Sequence, residues 1–108
     1  MAFQHQFAGL AVRDLTVAVE WYSRLFERPP DMLPHEREAV WHTSAQASIY
    51  VVEDPDRAGQ GLLTLIVDDL DASLRECAIA AAIDAGPPRK ATLVDPDGNA
   101  IALADLRP

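Results

Sequence analysis

Apolar positions along the chain follow two rhythms. Phe7 to Val12 is a short, almost wholly apolar run, the pattern of a strand buried on both faces. From Leu15 the apolar residues recur at 15, 18, 19, 22, 25 and 26, a single helical stripe. Asp14 stands where it can cap that helix, and Pro29-Pro30 cannot continue it, so its end is expected near Glu27 or Arg28. Asp31 to Pro34 is a short, weakly marked strand. Glu38 to His42 and Ala47 to Glu53 read as strands around a turn at Thr43 to Gln46, and Asp54 to Gly59 carries loop chemistry. Leu62 to Val67 repeats the buried-strand pattern, and Asp68-Asp69 opens a helix predicted over Leu70 to Ala82, ended by Gly86 and two prolines. Lys90 to Val94 and Ala100 to Ala104 are the last strands, joined by the tight turn Asp95-Pro96-Asp97-Gly98-Asn99.

The two halves match. Val12-Arg13-Asp14-Leu15 and Val67-Asp68-Asp69-Leu70 correspond at a constant offset of 55 residues (Val12 to Val67, Asp14 to Asp69). The same offset pairs Val19 with Leu74, Tyr22 with Cys77 and Phe26 with Ala81. A matched strand, cap and helical stripe point to an internal duplication. Each half alone would leave one sheet face bare, whereas two can close around a shared cup.

A β-α-β-β-β module used twice resembles the vicinal-oxygen-chelate superfamily, which includes glyoxalases, bleomycin resistance proteins and dioxygenases. Four fragments carry the resemblance: Val12-Arg13-Asp14-Leu15, Trp21 to Phe26, Val67 to Asp71, and Asp95 to Asn99. It implies an α+β fold in one domain over residues 1–108, with a curved mixed sheet around a cup and the helices on its outer side. Module one would span about 6–53 and module two about 61–104. Between Ile83 and Ala91 the second module is shortened, which puts in doubt the strand that should follow its helix. The resemblance also implies that pairs of subunits build the complete sites, so a homodimer is expected.

Metal-dependent relatives hold a divalent ion on the cup face. The resemblance places the ligands at Phe7, at its repeat mate Leu62, at Ala102 (three residues after Asn99) and around Ile49 or Tyr50. None of these is Asp, Glu, His or Cys, and an apolar side chain cannot coordinate a hard cation. The expectation is therefore no metal and no cofactor, which leans away from metal-dependent activity. A relocated site from His5, His42 and Glu53 is the alternative, and would restore a metal-dependent lyase, isomerase or dioxygenase.

Strand alternation gives the cup lining instead. Phe7, Gly9, Ala11, Leu62, Thr64, Ile66, Ala100, Ala102 and Ala104 should face it, while Ala8, Leu10, Val12, Leu63, Leu65 and Val67 face the helices. Such an apolar concave surface suits a small organic, aromatic molecule. Phe7, Trp41 and Tyr50 are candidates to stack on it, Thr64 and His42 to orient it, with Leu62 and Ala102 completing the wall. Trp21 and Tyr22 read as core or dimer packing. A cup filled by its own side chains would leave an interaction protein working through a sheet edge or through Arg24 and Arg75.

Composition narrows the partners. The net charge is −8, from 17 acidic and 9 basic residues, and no basic stripe is present, which argues against nucleic acid. Asp14, Asp68 and Asp69 are explained as helix caps, and Asp95 and Asp97 as turn formers. Cys77 is the only cysteine, so no internal disulfide can form, and it is expected to be buried and inert. The N-terminal residues carry no leader pattern and no apolar run is long enough for a membrane, so a cytoplasmic protein without a membrane partner is expected.

Overall fold

The computed structural model describes residues 1–107. Its elements run β1 (Gln6–Val12), α1 (Leu15–Phe26), β2 (Met32–His35), β3 (Glu38–Ser44), β4 (Ala47–Glu53), β5 (Leu62–Ile66), α2 (Leu70–Cys77), β6 (Ala82–Asp84), β7 (Arg89–Val94) and β8 (Ala100–Asp105). Each half forms its own four-stranded mixed sheet, ordered β1-β4-β3-β2 and β5-β8-β7-β6. In both, the first strand pairs in parallel with the last and the remaining pairs are antiparallel. This is the repeated β-α-β-β-β arrangement the sequence implies. Hydrogen bonding divides it into two sheets, where a single curved sheet was expected.

The helices start where the caps predict. The Asp14 carboxylate accepts from the Val17 amide at 3.2 Å and Asp69 from the Ala72 amide at 3.0 Å, satisfying amides that have no partner inside the helix. Asp68 is exposed and caps nothing. Helix α1 ends at Glu27, in the left-handed region at φ 59, with Glu27 N bonded to Arg24 O and Arg28 N to Ser23 O.

Helix α2 departs from expectation. It closes at Cys77, with Ala78 left-handed at φ 55, five residues before the predicted end at Ala82. Alanine-rich sequence favours helix, but Ile79 and Ala81 pack on the core and the chain turns to pair β6 with β7. Packing overrides propensity, and the strand in doubt is present at three residues.

One core cluster spans both halves. Leu10, Val12, Tyr22, Trp41 and Val51 from the first join Leu70, Cys77, Leu93 and Ile101 from the second. Cys77 is buried, as expected. The halves are also stitched by polar contacts at the Asp95–Asn99 turn. The Asn99 side chain, with no exposed surface, donates to Ala11 O at 2.9 Å and to Asp95 Oδ2 at 2.7 Å, and accepts from Gly61 N at 2.7 Å. The Tyr22 hydroxyl of α1 donates to Asp95 Oδ2 at 2.7 Å. Asp95 Oδ1 accepts the Asp97 and Asn99 amides, each at 2.9 Å. Arg13 adds an exposed ion pair to Asp97 at 3.3 Å. The turn thus pins the second sheet to β1 and α1 of the first half.

Candidate binding cup

The cup face is the sheet face turned away from the helices, and register shows which side chains reach it. In the first sheet Phe7 lies opposite Ser48, Gly9 opposite Tyr50 and Ala11 opposite Val52, while Val40 and His42 of β3 lie opposite Tyr50 and Ser48. In the second sheet Leu62, Thr64 and Ile66 pair with Ala100, Ala102 and Ala104, and Val94 and Thr92 continue the rows. The other face holds the core: Leu10 and Val12 are 3% and 0% exposed, against 56% for Phe7 and 87% for Leu62. Of the predicted lining, Phe7, His42, Tyr50, Leu62, Thr64 and Ala102 therefore stand on the cup faces.

Trp41 does not, and this corrects the sequence-based expectation. It is fully buried on the helix side, tilted against Phe26 and Tyr22 at ring-centroid distances of 5.4 and 6.1 Å, with its indole N–H donated to Arg28 O at 3.0 Å. Adjacent strand residues point to opposite faces, so Trp41 and His42 cannot both line the cup. Burying an indole removes on the order of 200 Å² from water, about 5 kcal/mol at 25 cal/mol per Å². Burying His42 there instead would strand a polar ring, so Trp41 turns inward. Trp21 is half-buried and meets Tyr22 edge-on at 4.7 Å.

A hollow of ≈ 310 Å³ opens on the cup side, lined by Gly9, Ala11, Tyr50, Val52, Asp54, Arg57, Gln60 and Gly61. Its geometry depends on Gly9: a Cβ there would lie 2.2 Å from Tyr50 Cζ, so the phenol ring occupies the space a side chain would need. Asp54, Arg57 and Gln60 were not anticipated as lining. They sit in the β4–β5 loop, and turn chemistry says nothing about which way a loop folds. A larger hollow of ≈ 560 Å³ between α1 and the β2–β3 turn is lined by Leu15, Thr16, Val19, Leu33, His35 and Glu36. It holds none of the cup-face residues.

Two strand residues along from Tyr50, on the same face, lies a polar cluster. Ser48 is 1% exposed, and its hydroxyl lies 2.8 Å from His5 Nε2 and 2.7 Å from His42 Nδ1. The His5 ring also packs against Phe7 at 4.7 Å. His42 is fixed from behind, its amide donating to Asp31 Oδ2 at 2.7 Å and its carbonyl accepting from Arg28. That amide is the main reason the Asp31 carboxyl is held below the usual carboxylate range. At the far end of the second sheet, hydrogen bonds from Arg107 hold Asp105 well below that range, while Asp105 caps α2 through Leu70 N at 3.2 Å. Burial, and then the bond to Asp95, push the Tyr22 hydroxyl far above the ordinary phenol value.

The relocated ligand set is only partly assembled. His5 and His42 come within 6.4 Å of each other, but Glu53 lies at the other end of β4 and accepts from Leu15 N at 3.1 Å. At the positions where the resemblance places metal ligands, Phe7, Leu62 and Ala102 offer only hydrocarbon, and Ile49 is buried on the helix side. Tyr50 offers a phenol, so the residues present do not fit the metal site of metal-dependent relatives. Among the described residues no three His, Cys, Asp or Glu side chains gather as a metal site, and no helix is long and apolar enough to cross a membrane. Arg24 donates to Ala78 O, tying α1 to the end of α2, while Arg75 is exposed.

No family model matches the chain and no curated protein matches it. Solved structures do. A glyoxalase/bleomycin resistance protein from Catenulispora acidiphila is 40% identical, with 95% of this chain and 98% of that one covered, at a TM-score of 0.91. The chain belongs to the glyoxalase/bleomycin resistance protein family. That places it in the vicinal-oxygen-chelate superfamily, as its repeated module implied. Within the same family fold, an antibiotic-binding protein from a Streptomyces species is 28% identical over 97% of this chain and 98% of that one, at a TM-score of 0.73. A lactoylglutathione lyase from Agrobacterium tumefaciens shares the fold at 16% identity and a TM-score of 0.74, covering 93% and 91%.

Proposed function

We propose that this family member binds a small aromatic molecule in its cup without a metal ion, and that a second copy of the chain completes the cup. The observation that carries the reading is the Tyr50 ring laid across Gly9 in the wall of a ≈ 310 Å³ hollow. A hollow of that size accepts a compact planar ligand, and an aromatic face with few, fixed polar groups is how such ligands are held. Arg57 and Gln60, exposed on the β4–β5 loop, supply polar groups at one side of the hollow. Hydrocarbon at Phe7, Leu62 and Ala102 supports metal-free binding. The similarity to an antibiotic-binding protein favours a ligand-holding role over a chemical one. The metal-dependent alternative is not favoured, because Glu53 is committed to the start of α1.

Exposed Phe7 on the first cup face and Leu62, Ile66 and Val94 on the second support the dimer, since large apolar side chains left bare on a sheet face favour burial against a partner. The test is a thermal-shift screen of aromatic compounds with chelator present. A binder raises Tm by mass action, by about 2.7 kcal/mol of stability at a hundredfold excess over Kd. Tyr50→Ala should abolish the shift while the protein stays folded. A binder that needs added metal, or one indifferent to Tyr50, overturns the reading. Light scattering at micromolar concentration should return twice the chain mass.

A further inference from the structure

The hollow beside Tyr50 has a charged rim as well as an aromatic wall. Val52 and the Tyr50 ring give it an apolar side, and Asp54, Arg57 and Gln60 come to it from the β4–β5 loop. That loop is pinned along its length. Asp54 N donates to Val12 O at 2.9 Å, Arg57 N to Asp54 O at 3.2 Å, and Gly61 N to the Asn99 side chain at 2.7 Å, while Ala58 is buried. Arg57 therefore stands on a fixed backbone. Among the described residues lining the hollow it is the one cation, and Asp54 is the one anion. The two form an ion pair from Arg57 Nε to Asp54 Oδ2, at 3.6 Å too long for a hydrogen bond. This pairing offsets the Asp54 charge. It uses the Nε side of the guanidinium and leaves the edge of the two terminal nitrogens, which can meet a carboxylate with two parallel hydrogen bonds.

We propose that the hollow takes an aromatic carboxylate, with its ring against Tyr50 and its carboxylate on Arg57. This rests on the cup reading and adds to it the charge of the ligand. The whole chain carries a net charge of −8, so its long-range field repels anions. A preference for an anion over its neutral counterpart then reports a cation inside the hollow, and Arg57 is the one that lines it. Asp54 works against the same ligand, because it places a charge of the ligand's own sign beside the guanidinium.

Benzoate, benzamide and benzamidinium are planar and close in shape, and at neutral pH carry a negative charge, none and a positive charge. Each is titrated into the full chain by NMR, following the Arg57 Nε–H and the Tyr50 ring. Benzoate should bind about fivefold more tightly than benzamide, the upper end for an ion pair open to water, and benzamidinium most weakly. The Arg57 side chain is 84% exposed, so Arg57→Gln leaves the core intact and should remove the preference. Arg57→Lys keeps the charge without the paired donors and should retain only part of it. Asp54→Asn should tighten benzoate relative to benzamide. Equal binding of benzoate and benzamide, with both moving Tyr50, would leave the cup reading standing and overturn this proposal. A benzoate preference that survives Arg57→Gln would overturn it too, as would tightest binding of benzamidinium, which would make Asp54 the anchor. If none of the three binds at millimolar concentration, the proposal falls, and the cup reading is then judged by the broader thermal-shift screen.

Discussion

Asn99→Ala tests how the two halves are held in one structure. The side chain has no exposed surface and bridges three places: Ala11 O in β1, Gly61 N ahead of β5, and Asp95 Oδ2 in its own turn. Truncation leaves the Ala11 carbonyl and the Gly61 amide without their partner, at about 1 kcal/mol each. It also removes one of the two donors to Asp95 Oδ2, worth roughly 1.5–3 kcal/mol for a bond to a charged group. The sum is about 4 kcal/mol, reduced if water enters the space. Against a typical total of about 5–15 kcal/mol, that is a large share of the fold. Urea unfolding followed by circular dichroism should show the midpoint falling accordingly, and Tm dropping by roughly 15 °C or more. The double variant with Tyr22→Phe should lose more than the sum of the single losses if the two donors compensate for one another at one oxygen, or less if they cooperate; additivity would mean they act separately. A loss below about 1 kcal/mol for Asn99→Ala would refute the clamp, and with it the claim that this turn positions the second sheet.

Other outcomes follow from the same structure. Gly59 sits at φ +85 and a Cβ there would lie 2.2 Å from the Asp97 carbonyl oxygen, so Gly59→Ala should cost about 1–3 kcal/mol in urea unfolding; a neutral result would refute that close approach. Gly9→Ala meets only the end of the flexible Tyr50 side chain, so it should stay folded, with Tm within a few degrees, while losing aromatic-ligand binding in the thermal-shift assay. The Tyr22 hydroxyl is raised by burial and by Asp95, so the folded state keeps a proton that the unfolded state loses near pH 10. The stability this provides is complete below that pH and is lost as pH rises beyond it. Tyr22→Phe should flatten the alkaline limb of a Tm-versus-pH curve, and an unchanged limb would count against the buried Tyr22–Asp95 bond.

Much of the fold was legible because it rests on local rules. The 55-residue offset, the Asp14 and Asp69 caps and the Asp95–Asn99 turn each leave a signature within a few residues, and each is found in place. Face assignments along β1 and β5 were readable from alternation joined to the resemblance, which places Phe7 and Leu62 on the cup face. The end of α2 was not, because alanines that suit a helix are claimed by core contacts from Ile79 and Ala81. Nor was the inward turn of Trp41, since alternation fixes parity within a strand but not which parity faces the core. The Asp54, Arg57 and Gln60 wall, and the meeting of His5 with His42 over Ser48, depend on how distant segments come together. Sequence spacing carries no sign of that. The role of Asn99 between the halves was likewise hidden behind its turn chemistry.

An aromatic-binding cup of the kind proposed works without the metal used by metal-dependent relatives. Its most direct test is the metal content of tag-free protein by elemental mass spectrometry, after exposure to zinc, nickel, manganese and iron and removal of the excess without chelator. The expected value is near zero per chain. A value near one metal per chain would contradict it, and loss of that metal in His5→Ala or His42→Ala would locate the relocated site.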